Sequence, residues 1–222
     1  DIRIGGRDNP GVLASAFFPE FGEITINTSV TGTYANTANA SRAARNVIMH
    51  EIGHSLGIEH VESNNAQFLY EPSLNTSFDG LQLDDILALH RGYGDKFEKT
   101  NNGQGNETPD LATHLGMLQF GVTRSIGTKA GDTVVGRFET DFVSLDDNSD
   151  RDVYSFTISD ASTIDITLTP KGPTYNSGPQ GGSQSALDTS SLANINLQLF
   201  DTDGQTILTT SGKVGLGITE MI

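Results

Sequence analysis

The spacing of three histidines constrains this chain more than any other feature. In "NVIMHEIGHSLGIEH", residues 46–60, His50 and His54 stand four positions apart and His60 follows six later, with Glu51, Gly53 and Gly57 between them. Residues four apart lie one above the other on a helix, so a helix over residues 41–56 presents both imidazoles on one face. Ile48, Met49, Ile52 and Leu56 gather on the opposite side, and Ser41 or Asn39 is the expected N-cap. Gly57 ends the helix, because a glycine permits the left-handed residue that turns the chain back, and His60 then becomes a third ligand. Zinc takes about four ligands in a tetrahedron, so three imidazoles leave one position open for water, the arrangement of a catalytic site. Glu51, beside the first ligand, is placed to act as general base.

Charge narrows the function classes. With 13 basic and 28 acidic residues the chain carries a net charge of -15, which repels nucleic acid and anionic membrane surfaces. No stretch approaches the roughly 20 consecutive apolar residues of a membrane span. The chain lacks cysteine, so neither disulfides nor thiolate ligands enter the argument. It begins at Asp1 and ends in "GITEMI", which reads as a processed product or a fragment. The expectation is a soluble monomer without nucleic-acid or membrane partners.

Two composition regimes divide the sequence. Residues 1–94 hold every histidine except His114. The polar, Asn- and Gly-rich stretch that opens with "DKFEKTNNGQGN", 95–106, reads as a linker. Beyond it, "DVYSFTIS" (152–159), "TIDITLTP" (163–170) and "NINLQLFD" (194–201) alternate with period two between turn clusters, the pattern of an all-β antiparallel sandwich over 107–222. "DTDGQ" (201–205) is the expected hairpin turn, and "GPTYNSGPQGGSQS" (172–185) reads as a long flexible loop.

At residues 50–60, "HEIGHSLGIEH", the chain resembles the metzincin zinc endopeptidases and matches their H-E-x-x-H-x-x-G-x-x-H pattern; "GVLASAFFP" (11–19) and "LQLDDILALHRGYG" (81–94) are similar to the matrixin branch. The resemblance implies an α+β metzincin catalytic domain over 1–94, N-terminally incomplete. It implies His50, His54 and His60 as ligands of one catalytic Zn²⁺ and Glu51 as the base that takes the proton of a zinc-bound water. Leu13 and Ala14 would lie on the edge strand that pairs with an extended substrate, with Tyr70, Pro72 and Ser73 near the residue after the scissile bond. Gly57, Leu69 and Asp84 would support the turn below the metal, Leu69 standing where the family has methionine.

Ser15 and Thr25 stand where the family's structural-zinc histidines are expected, and Asn27 where an aspartate is expected. A second zinc is therefore not expected, and the loop would be held by backbone hydrogen bonds or by Ca²⁺ through Asp8 and nearby carbonyls. The acidic run "SLDDNSDRD" (144–152) reads as a solvated turn before a strand rather than a calcium site, and His90 and His114 as packing or surface residues. Residues 107–222, through "TPDLATHLG" (108–116) and "DNSDRDVYSFTIS" (147–159), look like the bacterial pre-peptidase C-terminal domain, C-terminally incomplete and accessory in role.

The resulting expectation is a secreted, extracellular zinc metalloendopeptidase acting on protein or peptide substrates. The rival expectation is a catalytically degenerate binding or adhesion protein that retains the zinc site. An intact Glu51 favours the first, since a binding relic has no need of the base.

Overall fold

The computed structural model describes residues 1–64, 67–129 and 134–222. In chain order the elements are β1 (Arg3–Arg7), β2 (Ala14–Ala16), β3 (Glu23–Asn27), α1 (Thr31–Tyr34), α2 (Ala38–Ser55), β4 (Val61–Ser63), α3 (Leu83–Tyr93), β5 (Thr113–Leu118), β6 (Tyr154–Ile158), β7 (Thr167–Leu168), β8 (Thr174–Pro179), β9 (Ser185–Asp188), β10 (Leu197–Phe200), β11 (Ile207–Ser211) and β12 (Glu220–Met221). They fall into two compact units. The first comprises 1–89, 132–139 and 175–187; the second comprises 90–131, 140–174 and 188–222.

In the first unit β3 is central, parallel to β1 and antiparallel to β2, which leaves β2 as an edge. Ile24 of β3 and Ala14 of β2 are buried with Ala43 and Val47 of α2. The regular part of α2 begins after Asn39, Ala40 and Ser41, which have left-handed φ between 51° and 60°, and no side chain caps its start. The expected cap by Ser41 or Asn39 is thus corrected. Burial on α2 also differs from the amphipathic expectation. Asn46, Val47, Glu51 and His54 are buried, whereas Ile48, Met49, Ile52 and Leu56 are half-buried, because the histidine face is the one the rest of the unit covers. The sequence segment expected to be a flexible loop, 172–185, instead contributes β8, which pairs antiparallel with β4 through Val61↔Pro179, Glu62↔Gly178 and Ser63↔Ser177. Tyr175 on β8 packs edge-on against Phe68 at 4.6 Å, both buried. Gln82 and Val135 exchange two hydrogen bonds, which ties 134–135 into the same unit.

The loop before β2 is organised by one buried amide. Asn27, 1% exposed, donates to the carbonyls of Asn9 and Val12, both at 2.7 Å, and its Oδ1 accepts from the Asn9 and Ser29 amides and the Ser29 hydroxyl. Ser15 and Thr25 face each other across β2 and β3, and the Ser15 hydroxyl accepts from the Asn9 amide group. The sequence left backbone hydrogen bonds or calcium as the holders; side-chain bonds of Asn27 and Ser15 are seen here, and nothing supports calcium. Asn27→Ala strands these partners in a buried cavity and should cost about 2–3 kcal/mol in a denaturant melt. Elemental analysis should return one zinc per chain in both proteins.

The second unit departs from the expected sandwich. Its strands form three two-stranded sheets, β5 with β6, β7 with β12 and β10 with β11, and the β5–β6 pair is parallel. The alternating segments yield strands of only two to five residues, and apolar side chains such as Ile158, Leu168, Ile207 and Leu208 remain exposed rather than covered by a second layer. No sandwich is present among the described residues.

Acidic groups crowd this unit. Carboxylates of Glu98, Glu107 and Asp150 approach within 4.8 Å of one another. Burial first, then the Glu107 hydrogen bond and neighbouring charges, pushes Glu98 up to about 7. Burial and the nearby Asp95 and Asp150 likewise push Asp152 up to about 7, against the hydrogen bond it accepts from Asn106. Folded carboxylates that hold protons more tightly than unfolded ones stabilise the fold below the ordinary carboxylate range and lose that contribution as pH rises through about 7. In buffer without divalent cations the melting temperature should fall from pH 5 to pH 8, and Asp152→Asn should remove about 2–4 °C of that fall. Calorimetry at both pH values checks it.

Candidate metal centre

Four stretches of the first unit converge on one point. Helix α2 ends in a Schellman turn: Gly57, at φ +99°, donates to His54 O at 2.9 Å, and Ile58 donates to Gly53 O at 3.0 Å. That turn sends the chain back past His54 and delivers His60 beside the helix.

The three Nε2 atoms of His50, His54 and His60 lie 2.9, 2.9 and 3.0 Å apart. Each ring is held from its other nitrogen. The Nδ1–H of His50 donates to Leu69 O at 2.6 Å, that of His54 to Ile58 O at 2.6 Å, and that of His60 to Gln180 Oε1 at 2.7 Å. Since these acceptors fix the proton on Nδ1, each Nε2 presents a lone pair, and three lone pairs face one another with no proton between them. Burial reinforces this state, lowering His54 and pushing His50 down to about 4, so neither ring protonates at neutral pH. The donor set fits Zn²⁺: ligands about 2.0–2.1 Å from a tetrahedral ion lie about 3.3–3.4 Å apart, so the nitrogens need separate by only a few tenths of an ångström.

Glu51 is 6% exposed, one residue from His50 on α2, and burial pushes its carboxyl up to about 7. Phe18 meets the His54 ring edge-on at 5.8 Å.

Beneath the histidines the arrangement departs from the sequence expectation. The ring packed there belongs to Tyr70, 5.8 Å from the His50 ring and 6.3 Å from that of His54, while Leu69 contributes its carbonyl. Tyr70 fits because position 53 has no side chain: a Cβ at Gly53 would stand 2.1 Å from the tyrosine ring. At 2% exposure Tyr70 is a floor residue with almost no surface free, whereas the resemblance implies a place near the substrate. The turn itself is held by Asp85 rather than Asp84. Asp85 accepts from the amides of Leu69 and Gln82 at 2.8 Å and of Tyr70 at 3.3 Å, whereas Asp84, about 100° round α3, stands beside the Tyr175 hydroxyl. Ala66, at the start of the segment read as this turn, lies outside the described residues.

Strand β2 is the sheet edge near the site. Leu13 O is taken by the Asn27 amide at 3.0 Å and the Tyr34 hydroxyl at 2.5 Å, so by the alternation of an antiparallel pair the backbone groups that face outward are those of Ala14 and Ala16. Pro72 and Ser73 are exposed and line an open cleft beyond Tyr70. His90 and His114 bond the hydroxyls of Ser144 and Ser155 in the second unit.

Residues 5–94 match the Matrixin family model. Members of that family are zinc metalloendopeptidases of α+β metzincin fold, and the three histidines assembled here can hold a metal ion. The chain is also similar to matrix metalloproteinase-C of Caenorhabditis elegans, 32% identical over 103 residues, which are 42% of this chain and 18% of that protein. The chain thus spans less than a fifth of that relative's length. No solved structure matches it.

Gln180 and Asp85 escaped the sequence reading. Gln180 lies 120 residues from the histidine it orients, in a stretch with no helix or strand signature. Asp85 was one position from the residue chosen, and only hydrogen-bond geometry separates the two.

Proposed function

We propose that this protein is a secreted zinc-dependent endopeptidase that cleaves peptide bonds at the His50–His54–His60 centre, with the second unit accessory to catalysis. The observation that carries the reading is the triangle of three histidine Nε2 atoms, 2.9–3.0 Å apart, beside a buried glutamate on the helix that carries two of them. Zn²⁺ bound there would supply Lewis acidity, polarising the scissile carbonyl and making water acidic enough to react near neutral pH.

The chain's own groups do the rest. Gln180 and the carbonyls of Leu69 and Ile58 hold the three rings in the tautomer that binds. Glu51 takes the proton of the attacking water on its carboxylate and passes it to the departing amine nitrogen. Its burial raises its proton affinity, which suits the second transfer, and a nearby dication favours the ionised form needed for the first. The outward N–H and C=O groups of Ala14 and Ala16 offer a strand edge along which an extended substrate can pair.

The test is incubation of the protein with casein or gelatin, with a zinc chelator, and with zinc restored after chelation. Cleavage that disappears and returns supports the reading. Absence of cleavage by zinc-loaded, folded protein would reject it in favour of a binding protein that kept the metal site.

A further inference from the structure

Beyond the metal centre the first unit opens into a cleft of about 370 Å³ whose walls leave the centre directly. One wall is β4, which begins one residue after His60 and carries Glu62 and Ser63; the other follows Tyr70 and carries Glu71, Pro72 and Ser73. A hydrogen bond of 3.1 Å from Val61 N to Tyr70 O joins the two walls where they depart from the histidines. At about 3.3 Å per residue, Glu62 is about 7 Å along the strand from His60, the reach of one substrate residue beside the cleaved bond.

The charge in this cleft is of one sign. Among the described residues that line it, two are glutamates, the others are Ser63, Pro72, Ser73, Leu74, Asn75 and Gln184, and none is a lysine, arginine or histidine. Glu71 is 6% exposed and held rigidly: its Oε1 accepts the Ser63 amide at 2.8 Å and the Ser63 hydroxyl. No ion pair engages Glu62 or Glu71 among the described residues. Gln184 donates to Glu62 O at 3.1 Å and fixes that wall's backbone. Such a site favours a group that is cationic at its tip and apolar along its stem, because a carboxylate held out of water gains from a cation and loses against an apolar chain. Lysine and arginine meet both requirements, with Pro72 and Leu74 available to the methylenes.

We propose that Glu62 and Glu71 select a lysine or arginine next to the scissile bond, so that the substrates are basic segments of proteins. The proposal rests on the peptidase reading above. A net charge of -15 draws the same class of substrate toward the protein.

The experiment is digestion of a mixed peptide library by the zinc-loaded full chain, with cleavage sites mapped by mass spectrometry, for the wild type, Glu62→Gln, Glu71→Gln and the double variant. The wild type should cut beside lysine or arginine at least about tenfold more often than beside leucine. Each single variant should weaken the preference and the double variant should abolish it while still cutting other sites. Glutamine at 71 can still accept from Ser63, and Glu62→Gln touches a half-buried side chain, so at least one variant keeps the native fold. Cleavage without basic preference, or a preference that survives both substitutions, overturns this proposal and leaves the peptidase reading standing. No cleavage of any peptide by the wild type overturns the peptidase reading itself.

Discussion

Glu51→Gln should reduce peptide cleavage by about 10²–10⁴-fold, the range expected when a positioned general base is lost, while zinc content stays at that of the wild type. Glutamine has the same shape and cannot take a proton from water. The three ligands are untouched, since each ring is oriented by Leu69 O, Ile58 O or Gln180 and not by Glu51. Replacing a buried acid, already pushed up to about 7, with a neutral amide should also leave stability unchanged or raise it slightly. Kinetics beside metal analysis decides the matter. A variant that hydrolyses peptides at the wild-type rate removes Glu51 from the mechanism, and one that loses its zinc shows that the residue serves the site's structure.

Asp85→Ala should be the most damaging single change outside the ligands. Asp85 is 2% exposed and satisfies the amides of Leu69, Tyr70 and Gln82 with its two oxygens. Burial pushes its carboxyl up to about 7, and the three amides pull it back toward the ionised form. Alanine leaves three buried donors without acceptors, a loss of about 3–5 kcal/mol. The same change frees the turn whose carbonyl orients His50 and whose tyrosine floors the site, so zinc affinity should fall along with stability. Asp84→Ala is the control. Asp84 supports none of those amides, so it should cost no more than about 1 kcal/mol. Denaturant melts of both variants, with zinc affinity measured by chelator competition, separate the two neighbours; equal effects would return the supporting role to the turn of the helix as a whole.

The sequence by itself determined the geometry of the three histidines, because its determinants are local. His50 and His54 meet through the 3.6-residue period of α2, Gly57 supplies the positive φ that the reversal requires, and His60 follows within six residues; no distant contact is needed to specify them. Gly53 was legible as part of the same run, although its purpose, to leave room for the Tyr70 ring, is a contact 17 residues away. Only the tertiary structure decided what surrounds that motif. Asp85 rather than Asp84 holds the turn, Tyr70 rather than Leu69 lies under the rings, and Gln180 reaches His60 from 120 residues downstream on a hairpin whose sequence reads as loose loop. The alternating segments of 107–222 failed in the opposite direction. Period two establishes that a segment can be a strand, but which strand pairs with which, and whether a second layer covers it, depends on contacts far apart in sequence that alternation does not encode.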